Sequence, residues 1–258
     1  MKKIFFLILL GPLFFSQNYQ TKDSLKILAK SNFKSMVVFE NKNGKLIPAR
    51  DYRYDQNKNE ITIKNVSDKN KEWVKTIVNL DNNYEIKESE KIIEGMMISE
   101  KENALVNQQV SMLTKYSYNN NKTIDIKNYN SKGILSGKEF IILNKDGLIS
   151  ESIKLFNVPD DIVVTQIERY NWIDDKSYHY EKLTFNAPKS RFIGVYTLNQ
   201  YGEREFFKGS MTLNDETEMI NTPFENKLKK FDKKGNIVQL YVINNGKETV
   251  VEERKIIY

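Results

Sequence analysis

Apolar and polar residues alternate along most of this chain, and the alternation breaks at short polar clusters that begin with Asn or Asp. Ahead of these clusters, apolar residues stand at −1 and −3: Leu143 and Ile141, Leu198 and Tyr196, Tyr54 and Tyr52, Leu80 and Val78, Tyr118 and Tyr116. A period of two puts each pair on one face of a strand. Five positions after the Asn or Asp the apolar pattern resumes, as at Leu46, Ile86, Ile124, Ile149 and Ile237.

The clusters read as hairpin turns. Four have the form Asn/Asp-x-x-Gly, running from Asn41 to Gly44, Asn144 to Gly147, Asn199 to Gly202 and Asp232 to Gly235. A type I turn takes Asn or Asp first, and glycine accepts the left-handed conformation that completes a bulged hairpin. Asn244-Asn245-Gly246 is a tighter turn of the same purpose. Gly44, Gly147, Gly202, Gly235 and Gly246 are therefore expected to be structural turn residues. Frames starting at Tyr52, Val78 and Tyr116 lack the glycine and offer Asn, which also tolerates positive φ. In the middle of the chain the turns at Asn119, Asn144, Asp174 and Asn199 recur about every 27 residues, a spacing typical of repeat architectures.

The expected fold is mainly all-β, with antiparallel β-hairpin repeats forming an extended or curled sheet and one or two short helices. Low alanine, at four residues, fits that bias. One helix is expected in SEKENALVNQQVSML, where Ser99 and Glu102 make a capping box and Leu105, Val106, Val110 and Leu113 line one face. The other is expected from Ser24 to Phe33, with Leu25, Leu28 and Ala29 inward. Asp215 to Phe224, containing Pro223, reads as a linker. Residues 17–258 are taken as a single hairpin-repeat domain with a soft boundary near 100–115.

Ahead of that domain, Lys2 and Lys3 precede an apolar run from Ile4 to Phe15 and a small residue, Ser16. Residues 1–16 thus read as a Sec-type signal peptide. The run is shorter than the roughly 20 apolar residues a spanning helix needs, so the mature chain is expected to be periplasmic or extracellular and not integral to a membrane. No cysteine is present, so stability rests on burial and strand pairing rather than on disulfides. The net charge of +6 comes mostly from lysine, since only six arginines occur. Nucleic-acid sites favour arginine, so scattered lysine reads as solubility and edge protection, and no nucleic-acid partner is expected.

The phrase FDKKGNI at Phe231, with YRYD at Tyr52, resembles the YD repeats of RHS-type and related secreted bacterial proteins. That resemblance covers about half the chain in degenerate form and is close only in the last copy. It implies β-hairpins stacked into a continuous sheet, flat or curled into a shell. It carries over no catalytic residue.

Candidate chemistry is sparse. With one histidine, His179, and no cysteine, zinc and thiol chemistry have no ligand set, and no metal or cofactor is expected. KGILSGKEF at Lys132 has only three residues between its glycines and Glu139 where a P-loop needs Ser or Thr. A carboxylate hydrolase would draw on Asp160, Asp161, Asp174, Asp175, Glu203 or Glu205, whose separations sequence does not give. The most informative stretch is RYNWIDDKSYHYEKLTF. A loop from Ile173 to Ser177 sets Trp172 opposite Tyr178 and Tyr170 opposite Tyr180, with His179 on the other face. Those four rings read first as core and second as an exposed ligand-binding platform.

Three functions stay open: a non-enzymatic envelope or extracellular module binding glycan, peptide or protein; a carrier of lipid or other apolar cargo with the Glu100 to Leu113 helix as lid; and a carboxylate hydrolase. The first is preferred, with no catalytic residue assigned.

Overall fold

The computed structural model describes residues 25–66, 74–99, 104–120, 122–158, 161–186, 188–224 and 227–258. The proposed signal peptide and the Ser99/Glu102 capping box fall wholly or partly outside them. Among the described residues the chain forms seventeen strands, their described pairings all antiparallel, and one short helix, α1, over residues 25–30. No described helix is long and apolar enough to cross a membrane, a statement that leaves strands aside.

The chain packs as two units, one of residues 1–109 with 228–258 and one of residues 110–227. The first unit holds β1 (Ser35–Lys42), β2 (Lys45–Asp55), β3 (Glu60–Asn65), β4 (Val74–Leu80) and β5 (Ile86–Ser99). It also takes the C-terminal β15 (Leu228–Phe231), β16 (Ile237–Asn244) and β17 (Lys247–Ile257). β17 pairs with β1, Met36 facing Ile256, so the sheet runs β15-β16-β17-β1-β2-β3-β4-β5. One face buries Met36, Val38, Ile61, Val78 and Leu80. Onto the same core α1 and its exit lay Leu28, Ala29 and Phe33, the Phe33 ring stacking on Tyr54 at 5.5 Å. The helix expected from Ser24 to Phe33 is present over residues 25–30 and ends there, Asn32 taking a positive φ of 54° that turns the chain before Phe33.

The second unit follows from β6 (Ala104–Asn119), which crosses the boundary, through β7 (Thr123–Tyr129), β8 (Leu135–Leu143), β9 (Ile149–Val158) and β10 (Asp161–Trp172). It ends with β11 (Ser177–Thr184), β12 (Ser190–Leu198), β13 (Arg204–Leu213) and β14 (Glu216–Pro223). Each pairs with the next in a plain meander from β6 to β14.

Two expectations are corrected here. Ala104 to Leu113 is strand, not helix, because β6 is drawn into a ladder that sets Leu113 against Tyr129 and Tyr116 against Ile126. Asp215 to Phe224 is not a linker: Asn214 and Asp215, both at positive φ, turn the chain into β14.

The turns explain the sequence rhythm. At Asn144 the side-chain oxygen accepts the N–H of Asp146 and of Leu148, while Gly147 donates to the Asn144 carbonyl and sits at φ 78°. The same arrangement recurs at Asn199 and Asp232, and at Asn130, a copy the sequence reading passed over. At Asp81 it recurs with Tyr84, φ 64°, rather than an Asn in the glycine position. The turn at Asn41 differs from its expected form. Its loop is only Asn43 and Gly44, both left-handed, with Lys42 paired to Lys45, the two-residue type also built by Asn245 and Gly246. That shorter loop changes the phase, which is why Leu46 is exposed whereas Ile86 and Ile124 are buried. The spacing of about 27 residues is the length of two strands with their turns, because alternate turns of a meander share an end.

Candidate functional site

The site starts as two cross-strand rows in β10–β13. Register sets Trp172, Tyr178, Tyr196 and Phe207 side by side in one row, and Tyr170, Tyr180, Gly194 and Gly209 in the next. The second row ends in glycines because the Phe207 ring lies over them. A Cβ on Gly194 would stand 2.6 Å from Phe207 Cζ, and one on Gly209 2.7 Å from it. Phe207 is fully buried, stacks on Phe192 at 4.6 Å and meets Tyr196 at 4.7 Å. Glycine inside a strand marking close approach is the sequence signal that could have found this packing.

The sequence reading set Trp172 opposite Tyr178 and Tyr170 opposite Tyr180, and the registers agree. Tyr178 and Tyr180 are 4% and 5% exposed, while Tyr170 and Trp172 pack against them half-buried. Tyr178 and Tyr180 are therefore covered, and Tyr170 and Trp172 keep part of their surface accessible. The Trp172 indole N–H donates to the Ile149 carbonyl at 2.8 Å, satisfying its polar edge internally. His179 lies exposed on the opposite face, as expected.

Charge enters this core from Arg204. Its Nε donates to the Tyr178 hydroxyl at 2.8 Å, and its guanidinium lies 4.1 Å from the Tyr196 ring centroid and 5.3 Å from that of Tyr180. Burial works against the guanidinium charge, but the phenols of Tyr178, Tyr196, Tyr170 and Tyr180 outweigh it and hold Arg204 charged. Burial in turn pushes Tyr196 up to about 12, and Tyr170 and Tyr180 well above the ordinary phenol range.

Beside the rings lies a polar stripe. Glu168 accepts from the Tyr170 hydroxyl and the Gln166 amide, and Lys154 Nζ is 3.5 Å from Glu168 and 3.9 Å from Glu139. Burial alone would raise the Glu168 carboxyl, but Lys154, the Tyr170 hydroxyl, Lys182 and Arg204 together hold it below the usual carboxylate range. A general acid needs the reverse, a carboxyl raised towards neutrality. Chemically, the arrangement fixes charge rather than moving protons.

Arg204, Glu168, Gln166 and Lys154 were not singled out from sequence. The carboxylates that were have other roles: Asp174 caps its own turn, accepting from the Lys176 N–H and the Ser177 hydroxyl at 2.8 Å each, and Glu203 accepts from Asn199 at 3.3 Å. Asp160 lies outside the described residues. Among the described residues, no three His, Cys, Asp or Glu side chains group to hold a metal ion. The five turn glycines all take the left-handed conformation, with φ from 72° to 82°.

On the opposite face of β8–β12, Arg169 bridges Glu151 and Glu181, each at 3.1 Å, and Arg191 reaches Glu181 at 2.8 Å. Next to this ladder runs an apolar row across four strands, Phe140, Ile153, Ile167 and Leu183, each paired with the next. Phe140, Ile142, Ile162 and Val164 on that face are exposed.

No family model and no curated protein matches this chain. Among solved structures, a porin-like protein from Bacteroides uniformis is similar at 8% identity and a TM-score of 0.34, over 87% of this chain and 97% of that one.

Proposed function

We propose that the chain is an exported, non-enzymatic β-hairpin repeat protein that serves as a binding or structural module of the cell envelope. The observation that carries this reading is the apolar face of β8–β10, where Phe140 is 37% and Ile162 49% exposed, beside the ladder of Arg169 and Arg191 with Glu151 and Glu181. Contiguous apolar surface of that kind marks an interaction face. Because Tyr178 and Tyr180 are covered, binding falls to this face and not to the aromatic hairpin. Export rests on the Lys2-Lys3 and Ile4 to Phe15 pattern, and the recurring Asx turns support the kinship with YD-type repeats. The carrier reading loses its helical lid, since the described part of that segment is strand β6.

Fractionation of expressing cells with N-terminal sequencing tests the proposal. The expected result is a chain beginning at or near Gln17 that sediments with envelope material, and that is released from it by Phe140→Ser with Ile142→Ser. A chain retaining Met1 in the cytosol rejects it.

A further inference from the structure

We infer that the outer edge of β14 pairs with the same strand of a second copy of this chain, about a twofold axis at Met219. The inference is independent of the envelope reading above. β13 is the described ladder partner of β14, in an unbroken register from Phe206 opposite Pro223 to Leu213 opposite Glu216. The Phe224 N–H donates to the Glu205 carbonyl at 2.8 Å, which fixes the phase of that ladder. Bonding positions alternate along an antiparallel pair, so Glu216, Glu218, Ile220 and Thr222 turn their backbone groups to β13, and Thr217, Met219 and Asn221 turn theirs outward. Pro223, with no N–H to offer, falls at an outward position, where it costs the ladder no bond.

An edge strand is ordinarily guarded by lysine, a bulge or a proline within its span. β14 has none of these. ETEMINTP holds no cation in a lysine-rich chain, shows no register shift against β13, and keeps its one proline for the last position. At its centre Met219 is 74% exposed, the most exposed large apolar side chain among the described residues. The outward positions are symmetric about it. A second β14 laid antiparallel, Met219 on Met219, therefore sets Thr217 of each copy against Asn221 of the other, and all three outward positions become hydrogen-bonded pairs. Charge selects this orientation. Glu216 and Glu218 share the other face of the strand, with Asp215 in the turn ahead of them, so the acids lie in its first half. Antiparallel pairing sets Glu216 against Thr222 and Glu218 against Ile220 of the second copy, leaving only the two Glu218 on a diagonal. Parallel pairing would place every acid beside its own kind. On the Met219 face the nearest charge on β13 is Lys208, opposite Asn221, and the twofold axis keeps its two copies apart. Ile220 packs against the buried cluster of Tyr196 and Phe207, so the pairing also extends the covered face of the sheet.

Light scattering of the purified chain over a range of concentrations tests this, with a dimer expected at high concentration. Met219→Lys and Met219→Glu each set like charges about 5.5 Å apart across the axis, and each should weaken the dimer about tenfold. Mixing the two variants should restore it, because the axis then pairs a cation with an anion. Both should keep the parent's circular dichroism, since Met219 is exposed and its backbone groups do not serve the β13 ladder. Register is read by cysteine, which the chain lacks. Under mild oxidation Met219→Cys should link to itself, whereas Thr217→Cys should link only to Asn221→Cys. A chain that stays monomeric, a dimer that Met219→Lys leaves intact, or a mixture that fails to restore it overturns the inference. So does an assembly larger than a dimer, because twofold pairing occupies the edge, and so does an extended segment of a different protein that copurifies and is lost in Met219→Lys. A dimer formed by a cytosolic chain bearing Met1 removes the export reading alone.

Discussion

The two units solve one problem with different fillings. Each closes hairpins of an antiparallel sheet with Asx turns and runs a charged stripe across the face that packs. In the first unit the stripe is Glu40, Arg50, Glu252 and Arg254, with Arg50 3.1 Å from Glu40 and 2.9 Å from Glu252. In the second it is Glu139, Lys154 and Glu168. What fills the space differs. The first unit buries aliphatic side chains and closes on them with α1, so Leu28, Ala29 and Phe33 reach the core from outside the sheet. The second fills the space from its own strands with tyrosine and phenylalanine rings and a charged Arg204 among them. A sheet with no helix to cover it needs large side chains, and large rings with polar tips bring hydroxyls that must find partners.

The largest effects should come from the two most buried rings. Phe33→Ala and Phe207→Ala each remove a fully buried phenylalanine, worth about 3 to 5 kcal/mol. Phe207 should lie at the upper end, because beneath it are the Gly194 and Gly209 backbones, with no side chain able to collapse into the hole. Phe33 stands three residues beyond the six-residue α1, which can shift. Urea denaturation of both variants decides the matter, and a greater loss for Phe33→Ala would break the contrast between a rigid aromatic core and an adjustable helical one.

A second contrast lies in pH. Glu168 has a lowered carboxyl pKa in the fold, so its contribution is complete above the unfolded value of about 4.3 and is lost as pH falls through the depressed folded value. The tyrosines act at the other limit. Tyr196 is pushed up to about 12 by burial, so its contribution is complete below the unfolded value of about 10 and is lost as pH rises towards about 12, an effect on the order of 3 kcal/mol. Tyr196→Phe should therefore flatten the alkaline fall in urea midpoint. In the first unit Tyr54 is raised by burial and then by Tyr84, and Tyr54→Phe should flatten it less. Equal flattening by the two variants would mean that the aromatic core carries no special alkaline liability.

Legibility followed the range of the interaction. The −1 and −3 positions before the turns gave the buried face correctly at Ile141, Tyr196, Val78 and Leu80, because turn and strand phase are coupled within a few residues. Tyr118 is an exception and is exposed. The ring pairs of the β10–β11 hairpin were readable for the same reason. Arg204 was not, since it meets Tyr178 across 26 residues of chain and an intervening strand. Local signals also misled where pairing overrode them. Leu105, Val106, Val110 and Leu113 fit a helical face, yet β6 is strand, and most of β14 is exposed, so no apolar period announced it.

The smallest effect is the one that should not distinguish the units. Gly147 in the second unit and Gly235 in the first sit at φ 78° and 81° in matching Asx turns, and a Cβ at either would meet nothing within 4 Å. Alanine at either place therefore disturbs no packing, and only the left-handed backbone of an L-residue is left to cost about 1 kcal/mol. Tyr84 already accepts that conformation at the glycine position of the Asp81 turn. Tyr84→Gly should relieve a comparable strain while adding chain entropy to the unfolded state, so its net effect should be close to zero. Urea midpoints for Gly147→Ala and Gly235→Ala should fall together. If they separate by more than about 1 kcal/mol, the turns are coupled to the cores behind them, and the difference between the units extends beyond what fills them.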